Sequence, residues 1–321
     1  MKVGILLQKD YRLLSVAAIA DVLDSVNGFY AESSKQPMFD ICLLRLPEHT
    51  DVKYEGYTVQ PVTDNDAYDL LMIPAFKNDA LPGAMQLNMG WFHWLAGQYA
   101  KGGAVASFCT GAFILAATGL LNGRPATTHV NAGGHFAQLF PEVVLRADAV
   151  VTGQDRVYTS GGATNTFHLL MLLLEVYCSK EIAVRAAKMF SIDMDRNRQT
   201  YFGSFLPHEN HTDDLVKKAQ QEIRRNFNKA NTIEEIISSV PASRRNLARR
   251  FKQVTGITPI EYLQKTRIEA AKQLLEQQRH TITEVMLESG YNDQKTFRTL
   301  FKRNVGMTPK MYREKFSGQA V

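Results

Sequence analysis

Residues 104–114 read AVASFCTGAFI, an apolar run that stops at Phe108-Cys109-Thr110-Gly111 and then resumes with helical spacing. A short continuous apolar run is how a strand covered on both faces reads, and apolar residues recurring at three and four mark a helix. The stretch predicts a strand, a sharp turn at Cys109, and a helix from Thr110. Ser107 and Gly111 flank the cysteine by two on either side, where bulky groups would collide across the turn. This is an elbow with sulfur in the place of a hydroxyl oxygen. A thiol so placed faces the amides of a helix N-terminus, which favour the thiolate and predict a lowered pKa.

The same alternation extends outward from this point. KVGILL (2–7), FDICLLRL (39–46) and DLLMIPA (69–75) read as strands, and LLSVAAIADVLDSVN (13–27) and WFHWLAGQYA (91–100) as helices. Further on, ATTHV (126–130) reads as a strand and VVTGQDRVYTSGG (150–162) as a hairpin around Gly153-Gln154-Asp155. TNTFHLLMLLLEVYC (164–178) reads as a helix apolar nearly all round and therefore buried. The expectation is an α/β domain: a flavodoxin-like parallel sheet sandwiched between helices.

At 321 residues, 45% hydrophobic and 21% charged, the chain has material for two globular domains. No stretch reaches about 18 uninterrupted apolar residues, and MKVGILLQKD is charged too early for a signal peptide, so a cytoplasmic protein without a membrane is expected. Cys42, Cys109 and Cys178 lie more than 60 residues apart with no metal-ligand spacing. Neither a disulfide framework, a metal nor a cofactor is expected. The net charge of +5 is unevenly divided: residues 1–200 carry 16 Lys/Arg and 19 Asp/Glu, a net of −3, and the remainder carry 21 and 13, a net of +8. The last third calls for an anionic partner.

That third contains a repeat with a period of fifty. FKQVTGITPIEY (251–262) aligns without a gap on FKRNVGMTPKMY (301–312), and IEEIISSVPASRRNLARRF lies above TEVMLESGYNDQKTFRTLF upstream. Each unit reads as helix, short turn, helix, an all-α double helix-turn-helix. In the second helix of each, Leu247/Phe251 and Phe297/Phe301 form an apolar stripe, while Arg244, Arg245, Arg249, Gln294, Lys295 and Arg298 occupy other faces. Such donors suit base edges and phosphates in a major groove. PIEYLQKTRIEAAKQLLEQQ (259–278) between them predicts a helical rod of about 30 Å, close to the roughly 34 Å between groove faces one turn apart.

Two resemblances follow from these residues. CTGAFILAATGLLNGRPATTH (109–129) and VYTSGGATNTFHLLMLLLE (157–175) resemble the class I glutamine amidotransferase-like fold in its PfpI protease and deglycase branch, collinear over about residues 1–190. RIEAAKQLL, ESGYNDQKTFRTLFKRNVGMTP and Tyr312-Arg313 resemble the AraC/XylS-type DNA-binding domain over about residues 215–318. By the first, Cys109 matches the elbow cysteine and His129 the histidine of the superfamily's enzymes, while the acid's position falls on Ser15, which cannot serve. The resemblance therefore implies a pocket of Ser15, Cys109, Thr110 and His129 that binds without catalysing.

By the second, Arg245, Ala248, Arg249, Gln294, Lys295, Arg298 and Thr299 are implied DNA contacts; Arg250 departs from the pattern, standing where Leu300 is aliphatic, and so does Val240-Pro241. Together the halves resemble the GlxA-type transcriptional regulators. That implies residues 1–195 as a ligand-sensing domain, 196–212 as linker and 213–318 as reader of double-stranded DNA. It also implies an activator that works as a homodimer, with an effector such as an amino acid or quaternary amine. A cysteine-dependent hydrolase or amidase, or a thiol redox sensor, with a DNA-binding tail, is the alternative.

Overall fold

The computed structural model describes residues 1–317 except 55–56, 78–80, 197, 206, 208–210, 230–231 and 278. It divides into two compact units, Met1–Gln199 and Thr200–Val321.

The first unit runs β1 (Lys2–Leu6), α1 (Leu13–Glu32), β2 (Asp40–Arg45), β3 (Val59–Pro61), β4 (Leu70–Ile73), α2 (Leu81–Leu87), α3 (Gly90–Ala100), β5 (Ala104–Phe108) and α4 (Gly111–Ala117). It continues with β6 (Pro125–Ala126), α5 (Gly133–Leu139), β7 (Val144–Leu145), β8 (Val151–Gln154), β9 (Val157–Ser160), α6 (Asn165–Tyr177) and α7 (Lys180–Met189). The main sheet has the order β3-β2-β1-β4-β5-β9-β8. Every neighbouring pair is parallel except β8 with β9, the expected hairpin, which forms one antiparallel edge of the sheet.

Alternation along the strands assigns the two cores. Val3 and Ile5 join Val16, Ile19, Leu169 and Leu173 beneath α1, α6 and α7. Leu6 and Leu71 join Trp91, Phe113 and Phe136 on the opposite side. Both faces are covered, which is why β4 and β5 are buried at every position. By length and composition alone α1 could cross a membrane, with a mean hydropathy of 1.3 over its best window. Here its Val16, Ile19, Val22, Leu23 and Val26 are spent on the sheet.

Two local expectations are corrected. Only Pro125–Ala126 of the predicted strand around ATTHV pairs, in a two-stranded sheet with Val144–Leu145. Thr127 and Thr128 instead turn their hydroxyls onto the Ala149 and Cys109 carbonyls. The hairpin turn falls at Asp155-Arg156, with φ of 49° and 63°, two successive positive values that match the twist of a two-residue hairpin loop.

The second unit is all helical: α8 (Asp214–Asn226), α9 (Ile233–Ile236), α10 (Arg244–Thr255), α11 (Pro259–Glu276), α12 (Ile282–Glu288), α13 (Gln294–Val305) and α14 (Pro309–Phe316). The repeated sequence is a corner. α10 and α13 end on Gly256 and Gly306 at φ 78° and 87°, a left-handed stop that glycine adopts without a Cβ clash. Thr258 and Thr308 then cap the next helices, with Pro259 and Pro309 at their starts.

Each repeat has its own core. Leu247 and Phe251 pack with Val216, Ile236, Tyr262 and Leu263; Phe297 and Phe301 pack with Ile268, Ala271, Leu275 and Val285. α11 contributes to both and, at 18 residues, is about 27 Å long.

Arg250, which stands where Leu300 is aliphatic, donates from Nε to Asp213 Oδ2 at 2.8 Å. Asp213 in turn caps α8 through Val216 N, so an ion pair replaces apolar packing at this position. Val240 is 5% exposed and belongs to the first core. The stretch expected as linker, 196–212, contains packed residues: Gln199 is 1% exposed within the first unit, and Thr200 donates to the Val305 carbonyl within the second.

Candidate functional site

The elbow forms where β5 meets α4. Cys109 has φ 55°, a conformation that costs a non-glycine residue about 1–2 kcal/mol and is held here from both sides. Its N–H donates to the Ser160 carbonyl at 3.1 Å, and its carbonyl accepts from Thr128 Oγ1 at 3.0 Å. A Cβ on Gly111 would lie 2.4 Å from the Ile73 carbonyl oxygen. Only glycine lets the helix start this close to β4.

Thr110 Oγ1 donates to the Phe76 carbonyl at 2.7 Å and accepts from the Phe76 N–H at 2.8 Å. Ser15 Oγ accepts from the Ala75 N–H at 3.0 Å. Both hydroxyls brace the loop after β4. His129 Nδ1 accepts from the Asn131 N–H at 3.2 Å, so in the neutral ring the proton sits on Nε2.

These residues border one cavity of about 220 Å3, together with Arg12, Leu14, Ala75, Ala163 and Thr166. The structure thus brings Ser15, Cys109, Thr110 and His129 together. Arg12 and Thr166 went unnoticed in the sequence. Arg12 stands just before α1, where it reads as an ordinary charge at a helix boundary.

The electrostatics reverse one expectation. Burial pushes the Cys109 thiol up to about 11, against the opposing pull of the Thr110 amide and then of Arg12. At 3% exposure the lost hydration of a thiolate outweighs the helix terminus. His129 is held below the ordinary imidazole value, by burial first and the Arg12 charge second. Burial thus favours a protonated thiol and a neutral imidazole here, whereas acyl transfer calls for an activated nucleophile. Among the described residues, no group of three or more His, Cys, Asp or Glu is placed to hold a metal.

Gln199, another residue absent from the sequence reading, ties together the segments that carry His129 and Ala163 of this cavity. Its Oε1 accepts from the Gly162 N–H and Asn165 Nδ2, each at 3.0 Å. Its Nε2 donates to Thr127 Oγ1 and the Thr128 carbonyl at 3.0 Å and to the Ala147 carbonyl at 3.1 Å.

In the second unit, Arg244, Arg245, Arg249, Gln294, Lys295, Arg298 and Thr299 are exposed and Ala248 is intermediate. The opposite stripe of each helix is buried: Leu247 and Phe251 in α10, Phe297, Phe301 and Val305 in α13. Ser243 and Asp293 cap the two helices by accepting from Asn246 N and Thr296 N. Arg244 forms an ion pair with Glu234 at 2.8 Å, and Arg249 donates to Asn246 Oδ1 at 3.3 Å. Capped helices with one stripe anchored and donors on the other can place side chains against base edges and phosphates.

Comparison with known proteins agrees with this division. Residues 49–176 match the DJ-1/PfpI family model, and residues 238–315 match a helix-turn-helix domain model. The chain is 24% identical over 320 residues to the HTH-type transcriptional regulator ArgR of Pseudomonas aeruginosa, covering 99% of this chain and 94% of that protein. It is 26% identical over 222 residues to the HTH-type transcriptional regulator GbdR of Pseudomonas aeruginosa, where the match spans 69% of this chain and 60% of that protein.

A crystal structure of a Vibrio parahaemolyticus protein described as a transcriptional regulator shares the fold over 59% of this chain and 98% of its own, at 22% identity and a TM-score of 0.51. A DJ-1/PfpI-like α/β domain is fused here to an AraC/XylS-type helix-turn-helix domain, and the chain so composed is a sequence-specific DNA-binding transcriptional regulator.

Proposed function

We propose that the first unit is a sensor that binds a small metabolite in the cavity over Cys109 without turning it over, and that this binding governs how the second unit engages its operator. In this reading the protein is a GlxA-type activator that works in the cytoplasm as a homodimer on double-stranded DNA. The observation that carries the proposal is the pairing of two independently cored, capped helices, α10 and α13, with exposed Arg245, Arg249, Lys295 and Arg298. The raised thiol and the Nδ1-accepting His129 speak against turnover. For the cavity to regulate, the metabolite must bind one arrangement of the protein more tightly than another.

The test uses a duplex recovered by the full chain from a random-sequence pool. Arg249→Ala and Arg298→Ala should each weaken binding by about five- to a hundredfold, and should lower the salt slope by about one wherever a phosphate contact is lost. Unchanged affinity in both variants sinks the assignment of this surface. Cys109→Ala separates sensing from catalysis: DNA binding and metabolite response persist if the cavity senses, whereas a turnover that vanishes with the thiol would make the first unit an enzyme.

A further inference from the structure

We infer that the effector is a small carboxylate whose anionic end pairs with Arg12, and that a cationic amine without a carboxylate is not a ligand. The inference rests on the reading of the Cys109 cavity as the effector site. It follows from the charge of the lining. Arg12, Leu14, Ser15, Ala75, Cys109, Thr110, His129, Ala163 and Thr166 include one permanent cation and no carboxylate. Arg12 forms no ion pair among the described residues, and its side chain is exposed at the cavity.

Nothing else in the lining offsets that charge. Burial favours the neutral forms of both the thiol and the imidazole, so the cavity carries a net positive charge while empty. A guanidinium without a protein partner offers a planar pair of donors matched to a carboxylate.

The lining also excludes the opposite class. A quaternary or primary ammonium group is recognised by aromatic faces or by carboxylates, and the cavity has no Phe, Tyr, Trp, Asp or Glu. The Thr110 hydroxyl is committed to the Phe76 backbone as donor and acceptor, and Ser15 Oγ accepts from the Ala75 N–H, which leaves its O–H a donor suited to an anion and not to an ammonium group. Leu14, Ala75 and Ala163 make part of the wall apolar, and Thr166 and His129 add polar but uncharged groups to it. At about 220 Å3 the space lies below the roughly 300–1,000 Å3 of pockets for drug-sized ligands, so the body of the ligand is short. The fit is a compact aliphatic or hydroxylated monocarboxylate; an α-amino group is tolerated where it reaches solvent, and it is not what is recognised.

The test is thermal melting of the full chain with four probe pairs: lactate and lactamide, 2-hydroxybutyrate and its amide, alanine and alaninamide, betaine and choline. At about ten times its Kd a binder raises the melting point of the first unit by about 3–6 °C. The expected result is a shift with one or more carboxylates, none with the matched amide or choline, at least a tenfold loss of affinity in Arg12→Ala and partial retention in Arg12→Lys. A carboxylate that stabilises Arg12→Ala as well as the parent, or an amide or choline that stabilises the parent, overturns the carboxylate inference while leaving the cavity a sensor. A null result with every probe counts against the sensor reading and this inference together.

Discussion

Cys109 shows how burial overrides a local signal. Its place at a helix start is legible in AVASFCTGAFI, and so is the strain that Gly111 relieves. Its ionisation is not, because the burial that raises the thiol to about 11 comes from segments remote in sequence, such as those of Thr128 and Ser160, which bond to its backbone. At pH 8 a thiol near 11 holds about a hundredfold less thiolate than one at its ordinary value near 9. Iodoacetamide should therefore label Cys109 at least that much more slowly than a free thiol, with the rate still rising beyond pH 9. Rapid labelling at pH 7 would restore the nucleophile or redox reading.

Gln199 was equally invisible, since a glutamine in a polar stretch carries no pattern. Removing it leaves the Gly162 N–H and the Thr128 and Ala147 carbonyls without this partner. At about 1–3 kcal/mol per unsatisfied buried group, Gln199→Ala should destabilise the first unit by about 3 kcal/mol or more in urea unfolding. A loss under 1 kcal/mol would mean that water replaces the side chain.

Among elements, those with long period or repeat were the readable ones: α1, α6, α10 and α13 all form where the apolar spacing places them. β3 was missed because Val59–Pro61 is three residues long and ends in proline, too short to display a period. The antiparallel edge was legible as the hairpin in VVTGQDRVYTSGG, but its turn falls at Asp155-Arg156 rather than around Gln154, because neither residue type announces the positive φ values found there.

The start of α13 carries its own prediction. Asp293 Oδ1 accepts from Thr296 N at 2.7 Å, so Asp293→Ala should cost the second unit about 1 kcal/mol while Asp293→Asn stays within a few tenths. Chemical denaturation followed by helical circular dichroism distinguishes the two. Equal losses in both variants would point to charge rather than capping.

At the scale of the whole molecule, the two units should respond to acid in different ranges. His49, His129 and His168, all in the first unit, are held below the ordinary imidazole value, by burial first in each case. Unfolding lets them take up protons, so the stability they support is present above about pH 6.5 and is lost as the pH falls toward their folded values. In the second unit the groups depressed in the acid range are carboxylates. Asp213 is lowered first by its bond to Arg250, Glu261 and Glu284 by the backbone amides of their capping boxes, and Asp293 by Thr296.

The contribution of those carboxylates holds above their ordinary value of about 4 and is lost below it. Melting curves taken from pH 7 to pH 3 should show the first unit beginning to weaken as the pH falls below about 6.5, and the second only near pH 4. Simultaneous loss of both would contradict the assignment. The division into a weakly acidic first 200 residues and a basic last third made the two-part organisation readable from composition, whereas these separate pH responses depend on which histidines and carboxylates folding buries or pairs.

In α10 and α13 the residues that make the fold and those that face outward are different residues: Leu247 and Phe251, or Phe297 and Phe301, are almost fully buried, while Arg245, Arg249, Lys295 and Arg298 are exposed. Surface substitutions away from caps and cores usually change stability by less than about 0.5 kcal/mol. On the proposed assignment of this outward face to DNA, substitutions that retarget it leave the scaffold intact, and a lineage carrying this architecture can move between promoters by small steps without passing through unfolded intermediates.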